Sequence, residues 1–179
     1  MDDLSLTTRD EADLTGMNVF VGGPIQHAIQ RDGFYSPLRD AIHDIIESVR
    51  AASGTVFSAH LAEKFGDDTA LFTPEQVAER DLRWMRRCDV FVPVLPAHER
   101  GGLLRTDGTH VELGWASALG KPIVLVTPLP VTPTASHLLR GLPAVAQVGV
   151  FDITRVQHDR STLLGLISSA ARDTVAMVD

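Results

Sequence analysis

Val90-Phe91-Val92-Pro93-Val94-Leu95, then Gly108-Thr109-His110-Val111-Glu112-Leu113-Gly114-Trp115-Ala116, then Pro122-Ile123-Val124-Leu125-Val126, is the stretch whose reading decides the fold. Its two ends are apolar runs of strand length, the form taken by parallel strands covered on both faces. Between them lie a glycine-bearing loop from Pro96 to Asp107 and a helix that stops at Gly120. Pro93 marks a bulge or an early end to its strand. Strand, helix and strand in this order imply parallel pairing through a right-handed crossover.

The same alternation continues on both sides. Asn18-Val19-Phe20-Val21 reads as a first strand that opens into Gly22-Gly23-Pro24. Ser36 and Pro37 supply an N-cap and a first-turn proline, after which Ala41, Ile42, Ile45, Ile46 and Val49 recur at helical spacing. Thr55-Val56-Phe57 is a second strand ending at Ser58-Ala59-His60, and a polar loop from Leu61 to Phe72 follows. Thr73-Pro74-Glu75-Gln76 has the spacing of a capping box and starts a helix that reaches Cys88. Downstream come a proline-rich link from Thr127 to Pro133, a short helix around Ser136 to Arg140, a weaker strand from Ala146 to Phe151 and a last helix from Ser161 to Met177. The expected fold is an α/β three-layer sandwich around a mostly parallel, Rossmann-like (flavodoxin-like) sheet of about five strands. Residues 1–16 are read as a flexible arm and 17–179 as a single domain.

Composition narrows the function. A net charge of −7 argues against a nucleic-acid polymer or an anionic membrane as partner, but leaves room for a mononucleotide. With 44% apolar residues and no run of membrane-spanning length, the chain is expected to be soluble. Cys88 is the only cysteine, and no secretion signal is evident, so a reducing, cytoplasmic setting is expected. The seven histidines show no metal-ligand spacing, and Gly22-Gly23-Pro24 lacks the dinucleotide fingerprint, so neither metal nor cofactor is expected.

In such sheets ligands sit beyond the carboxyl ends of the strands. The Gly22–Pro24 loop, Ser58-Ala59-His60, the loop from Pro96 and the start of the Glu112 helix all converge there. Glu112 has two readings: a capping-box partner of Thr109, or a cleft carboxylate beside the free amides of Gly108 and Thr109. Asp81 shares a helical stripe with Val77, Met85 and Cys88, where a charge needs a partner or a polar cavity. Arg80, Arg83 and Arg86 are possible partners but lie on other faces, which favours a site role for Asp81. Trp115 suits either a base-stacking position or the core.

Three blocks together resemble the nucleoside 2-deoxyribosyltransferase superfamily, with its nucleotide N-hydrolases. They are Val19–Ile25, Arg80–Met85 with Asp89–Val92, and Gly108–Ala116 with Lys121-Pro122. The likeness is strongest to cytidylate and hydroxymethyl-cytidylate hydrolases of nucleoside-antibiotic pathways. It implies that Glu112 is the nucleophile that forms a ribosyl-enzyme, that Asp81 helps protonate the leaving base, and that Phe20 stands beside the sugar. It also implies a substrate-binding set of Gly22, Gly23, Pro24, Ile25, Gln26, His60, Thr106, Gly108 and Thr109. Ser136 would reach the phosphate in a neighbouring subunit, which makes the expected assembly a homodimer. Thr106 replaces a serine that meets the phosphate in the hydrolases and an aspartate that reads the 5′-hydroxyl in the transferases. Gln26 stands where the hydrolases carry arginine, so either another group such as Arg100 or Arg105 supplies the cation or the substrate differs. The implied reaction is hydrolysis of a nucleoside 5′-monophosphate, with a slight preference for pyrimidine such as CMP, to base and ribose 5-phosphate. Base exchange by a deoxyribosyltransferase and a non-catalytic nucleotide sensor are the alternatives. A third enzyme family, with Pro-Gly-Gly-x-Gly-Thr-x-x-Glu, is only half matched at Arg105–Glu112.

Overall fold

The computed structural model describes residues 12–31, 33–98 and 101–176. In chain order its elements are β1 (Asn18–Gly22), the two-residue strands β2 (Ile29–Gln30) and β3 (Gly33–Phe34), α1 (Ser36–Ala51), β4 (Thr55–Phe57), α2 (Ala59–Ala62), α3 (Pro74–Arg87), β5 (Val90–Pro93), α4 (Asp107–Ala118), β6 (Ile123–Thr127), α5 (His137–Gly141), β7 (Val148–Asp152) and α6 (Arg160–Ala176). One five-stranded sheet has the order β4-β1-β5-β6-β7, with every pairing parallel. β2 and β3 form a separate antiparallel ribbon.

Side-chain alternation along the strands builds the two flanking layers. Val19, Val21, Val90, Val92, Val124 and Val126 face one way and pack with Leu38, Ile42 and Ile45 of α1 and Leu163 and Ile167 of α6. Phe20, Phe91, Ile123 and Leu125 face the other way, against Met85 of α3, Leu113 and Ala116 of α4, and Leu139 of α5. Burying each of the larger side chains contributes about 1.5–3 kcal/mol, which is why these strands read as unbroken apolar runs. The three-layer α/β sandwich is therefore the observed architecture.

Some boundaries differ from the expected ones. Leu14 is fully buried and its amide donates to the Ala52 carbonyl, so the domain includes residues assigned to the arm. Ser36 is the first residue of α1, not its cap, which is Tyr35. β5 ends at Pro93, which has no amide to give; beyond it the Val94 amide still donates to the Gly22 carbonyl, and Val94 forms an isolated bridge with Val126. The segment read as a polar loop holds the end of α2 and two 3-10 turns, and His60 lies in α2. Arg100, Met177 and residues 1–11 lie outside the described residues. Among the described residues no helix is long and apolar enough to cross a membrane.

The sheet order places the site. From β1 the chain moves out to β4, then returns across β1 to β5, so the loops after β1 and β5 leave in opposite directions. The crevice between them, beyond Gly22 and Pro93, is the switch point of a doubly wound sheet.

Candidate active site

A cavity of about 420 Å³ opens at that switch point, within the range that takes small-molecule ligands. Its floor is the loop after β1, from Gly22 to His27. Gly22 is glycine because of close approach: a Cβ there would stand 2.9 Å from Glu112 Oε2 and 3.0 Å from Phe91 Cε2. A Cβ on Gly23 would stand 3.1 Å from the Val94 carbonyl oxygen. The floor is pressed directly onto the neighbouring strand and the Glu112 carboxylate.

The α4 wall decides between the two readings of Glu112. The helix starts at Asp107, and its N-cap is Thr106, whose Oγ1 accepts from the Thr109 amide at 3.2 Å. Thr106 Oγ1 also donates to Thr109 Oγ1 at 2.7 Å, and the His110 ring nitrogen Nδ1 bonds the Thr106 carbonyl. Thr109 is thus the third helical residue, and Glu112 sits a full turn deeper than a capping glutamate. The capping-box reading is overturned. Glu112 is 8% exposed, lines the cavity and accepts no hydrogen bond among the described residues. Burial, reinforced by the nearby negative charge of Asp81, raises its carboxyl well above the ordinary glutamate range. The expected free amides also shift by one residue. The Thr109 amide is taken, and those of Asp107 and Gly108 remain without intrahelical partners.

The opposite wall is the Val77, Ala78 and Asp81 face of α3, with Phe72 beside it. The capping box at Thr73 and Gln76 is present: the Thr73 amide donates to Gln76 Oε1 at 2.9 Å, and the Gln76 amide donates to Thr73 Oγ1. Asp81 is buried and does have an arginine partner: Arg80, one of the three possible partners that helical spacing put on other faces. Arg80 Nε donates to Asp81 Oδ1 at 2.8 Å, because a long side chain can fold back over its own helix. Arg80 Nη2 donates to Glu63 Oε1 at 2.6 Å, and Glu63 Oε2 accepts from Thr69 Oγ1 at 2.7 Å. Burial raises the Asp81 carboxyl above its usual range, while the Arg80 hydrogen bond and charge pull it back.

Most of the expected binding set meets here: Gly22, Gly23, Pro24, Ile25 and Gln26 from the floor, and Thr106, Gly108 and Thr109 from α4. Three residues do not line the cavity. Phe20 is fully buried under it, its ring centroid 5.1 Å from Phe91 and 5.8 Å from Trp84. His60 is also fully buried; its Nε2 bonds the Pro24 carbonyl at 3.2 Å, and burial lowers its pKa to about 4. A neutral His60 supports the floor from below. Ser136 is exposed and caps α5, accepting from the Leu139 amide. Arg105 does not line the cavity either; it is 71% exposed and pairs with Asp107. Trp115 lines the cavity and also packs against the core. The lining residues outside the expected set include Val77 and Ala78 of α3 and the four residues His27, Glu63, Thr69 and Phe72. The last three fall in a segment without periodicity. Val77 and Ala78 had a usable signal, since they share a helical face with Asp81.

The cavity therefore sets two buried carboxylates, Glu112 and Asp81, opposite one another, with open helix amides at one margin. That arrangement can stabilise a developing cation and move one proton.

Known proteins agree with the architecture. The solved structure of BlsM is 28% identical, with a TM-score of 0.63, covering 94% of this chain and 95% of its own. The CMP N-glycosidase BcmB of Clostridium botulinum is 23% identical, with a TM-score of 0.56, covering 82% of this chain and 96% of its own. The flavoenzyme FerB of Paracoccus denitrificans, an NAD(P)H:(acceptor) oxidoreductase, has a TM-score of 0.52 at 13% identity, covering 88% and 98%. It shares the fold alone, and a fold does not carry a chemistry with it. No curated protein matches the chain in sequence. The sequence profile described as Nucleoside 2-deoxyribosyltransferase matches residues 28–136, more than half of the chain and the span that holds Asp81 and Glu112. The chain belongs to the nucleoside 2-deoxyribosyltransferase family.

Proposed function

We propose that this chain hydrolyses the N-glycosidic bond of a nucleoside 5′-monophosphate, pyrimidine preferred, through a covalent ribosyl–Glu112 intermediate. The observation that carries the reading is the state of Glu112: buried, lining the cavity, pressed against Gly22 and without a hydrogen-bond partner among the described residues. A carboxylate that neither caps nor pairs has no role in holding the fold, and its burial is costly unless a ligand uses it. Membership of the family and the likeness of fold to a CMP N-glycosidase support the reaction class.

The cycle requires one proton shared by the two carboxylates. In the empty site it is assigned to Glu112, whose carboxyl burial raises and which accepts no hydrogen bond among the described residues, whereas Asp81 Oδ1 accepts from Arg80. With substrate bound, positive charge developing at the sugar favours an anionic Glu112, and the proton passes to Asp81. A Glu112 oxygen then bonds to C1′ as the C1′–N bond breaks. The electron pair leaves with the base, which takes the proton from Asp81. Water attacks C1′, Asp81 takes its proton, and Glu112 departs as a carboxylate. The products are free base and ribose 5-phosphate. The phosphate seat is the pair of open amides at Asp107 and Gly108. Ser136 is assigned to the neighbouring site of a homodimer, supported by the exposed apolar Leu138 (88%) of α5 and Val145 (72%) just after the turn that follows it.

A second reading is base exchange on a nucleoside without the 5′-phosphate. It is favoured by the absence of lysine and arginine among the described cavity-lining residues, and by the Asp107 carboxylate at the proposed phosphate seat. A panel of ribo- and deoxyribonucleosides and their 5′-monophosphates, each with and without a second base, separates the two. Hydrolysis predicts base release that needs the phosphate and ignores the added base. Efficient formation of a new glycoside instead selects exchange. In either case Glu112→Ala should abolish base release while ligand binding survives, and undiminished release would overturn the assignment.

A further inference from the structure

Arg80 does not line the cavity, yet it ties together the acidic side of the site. Its side chain is 15% exposed, and its guanidinium is bonded at two edges, to Asp81 Oδ1 and to Glu63 Oε1. The ring centroids of Trp84 and Phe72 lie 4.9 and 5.3 Å from its central carbon. Two carboxylates fix the group in its plane and two rings fix it out of plane. Glu63 is itself anchored by Thr69 Oγ1. The two oxygens of Asp81 are consequently unlike: Oδ1 is held by Arg80, whereas Oδ2 has no partner among the described residues.

We propose that Arg80 is a positioning residue for Asp81, holding Oδ1 so that Oδ2 alone exchanges a proton with the leaving base, and supplying the charge that keeps one proton, not two, on the Asp81–Glu112 pair. This rests on the N-glycosidase reading of the site. The charged groups facing Asp81 are Arg80 from α3, Glu63 from the turn after α2, and Glu112 from α4. The two glutamates oppose its ionisation, and Arg80 favours it. Without Arg80, three buried carboxylates stand together and a second proton binds the pair over a wider pH range. Glu112 is then protonated along with Asp81, and attack on C1′ is blocked. Lysine cannot reproduce the arrangement, because a single ammonium lacks the planar fork that bonds both carboxylates and stacks on aromatic faces.

The test is the pH profile of kcat/KM for base release in Arg80→Met, Arg80→Lys and Glu63→Gln, with Glu112→Ala run alongside. Arg80→Met should lower kcat by about 10²-fold, the scale of general acid–base assistance, with KM little changed. Its acid limb should move to higher pH. Arg80→Lys should restore part of kcat and most of the limb position. Glu63→Gln removes a negative charge, so its limb should move the opposite way, to lower pH. If Arg80→Met does not fold, the other two variants carry the test. Limbs that stay at the parent position in all folded variants would overturn the positioning role, because a structural contribution lowers activity uniformly. Base release surviving in Glu112→Ala overturns the reading of the site itself. An inactive Glu112→Ala beside unshifted limbs overturns the role of Arg80 alone.

Discussion

Helices α3 and α4 form facing walls of one cavity, and both begin with a capping threonine, but they use their first turns differently. In α3, Thr73 and Gln76 bond each other reciprocally at an exposed helix start, and both side chains serve the fold. In α4, Thr106 and Thr109 are buried and bond each other, which leaves Glu112, one turn further on, with nothing to hold. A polar side chain committed to a cap is satisfied and unavailable for chemistry. One left buried and unbonded destabilises the empty protein and is available to a ligand. The difference between the two helix starts identifies where the chemistry sits.

The largest effect that would break this contrast is at the floor. Gly22→Ala places a methyl against Glu112 Oε2 and the Phe91 ring. Displacing the carboxylate by a fraction of an ångström should cut kcat by roughly 10²-fold while nucleotide binding persists. Unchanged turnover in that variant would mean that Glu112 need not sit where it does. Steady-state kinetics and a binding titration on one preparation decide it.

A smaller effect is expected in stability. The Glu112 carboxyl is raised in the folded state from the ordinary value of 4.5, so the folded chain holds this proton longer than the unfolded one. Stability should therefore fall as pH rises from about 4.5 through the raised folded value, and be lower above it. Glu112→Gln removes that titration. It should flatten this part of the pH–stability curve and raise stability near neutrality by about 0.5–2 kcal/mol, while activity is lost. Denaturant melts at several pH values test the sign.

The smallest effect lies in the caps. Thr73→Ala should cost about 1 kcal/mol of stability and leave kcat unchanged. Thr106→Ala should cost a similar amount and also lower activity, because it loosens the turn that carries the open amides. Equal effects of the two substitutions on activity would erase the distinction between the helices.

What could be read in advance follows from how local each signal is. The strands were legible because a parallel strand covered on both sides is apolar throughout. The capping box of α3 was legible because its partners are three residues apart. The start of α4 was not, because Thr106 and Thr109 both fit an N-cap and only the backbone shows which one is used. The Arg80–Glu63 bond joins residues 17 apart, one of them in a segment without periodicity, so nothing in the sequence pointed to it. Phe20 and His60 were placed in the site by resemblance, whereas packing puts both beneath its floor. Glu112 and Asp81 were legible from their helical positions, the resemblance added their roles, and geometry removed the rival role of Glu112 as a cap.

The central claim is that Glu112 forms a bond to the sugar. Acid quenching the enzyme during turnover of a pyrimidine nucleoside 5′-monophosphate, followed by peptide mass spectrometry, tests it most directly. The account predicts a ribose 5-phosphate adduct on the peptide containing Glu112 and none in Glu112→Ala. An adduct on another residue, or one that persists in Glu112→Ala, would contradict it.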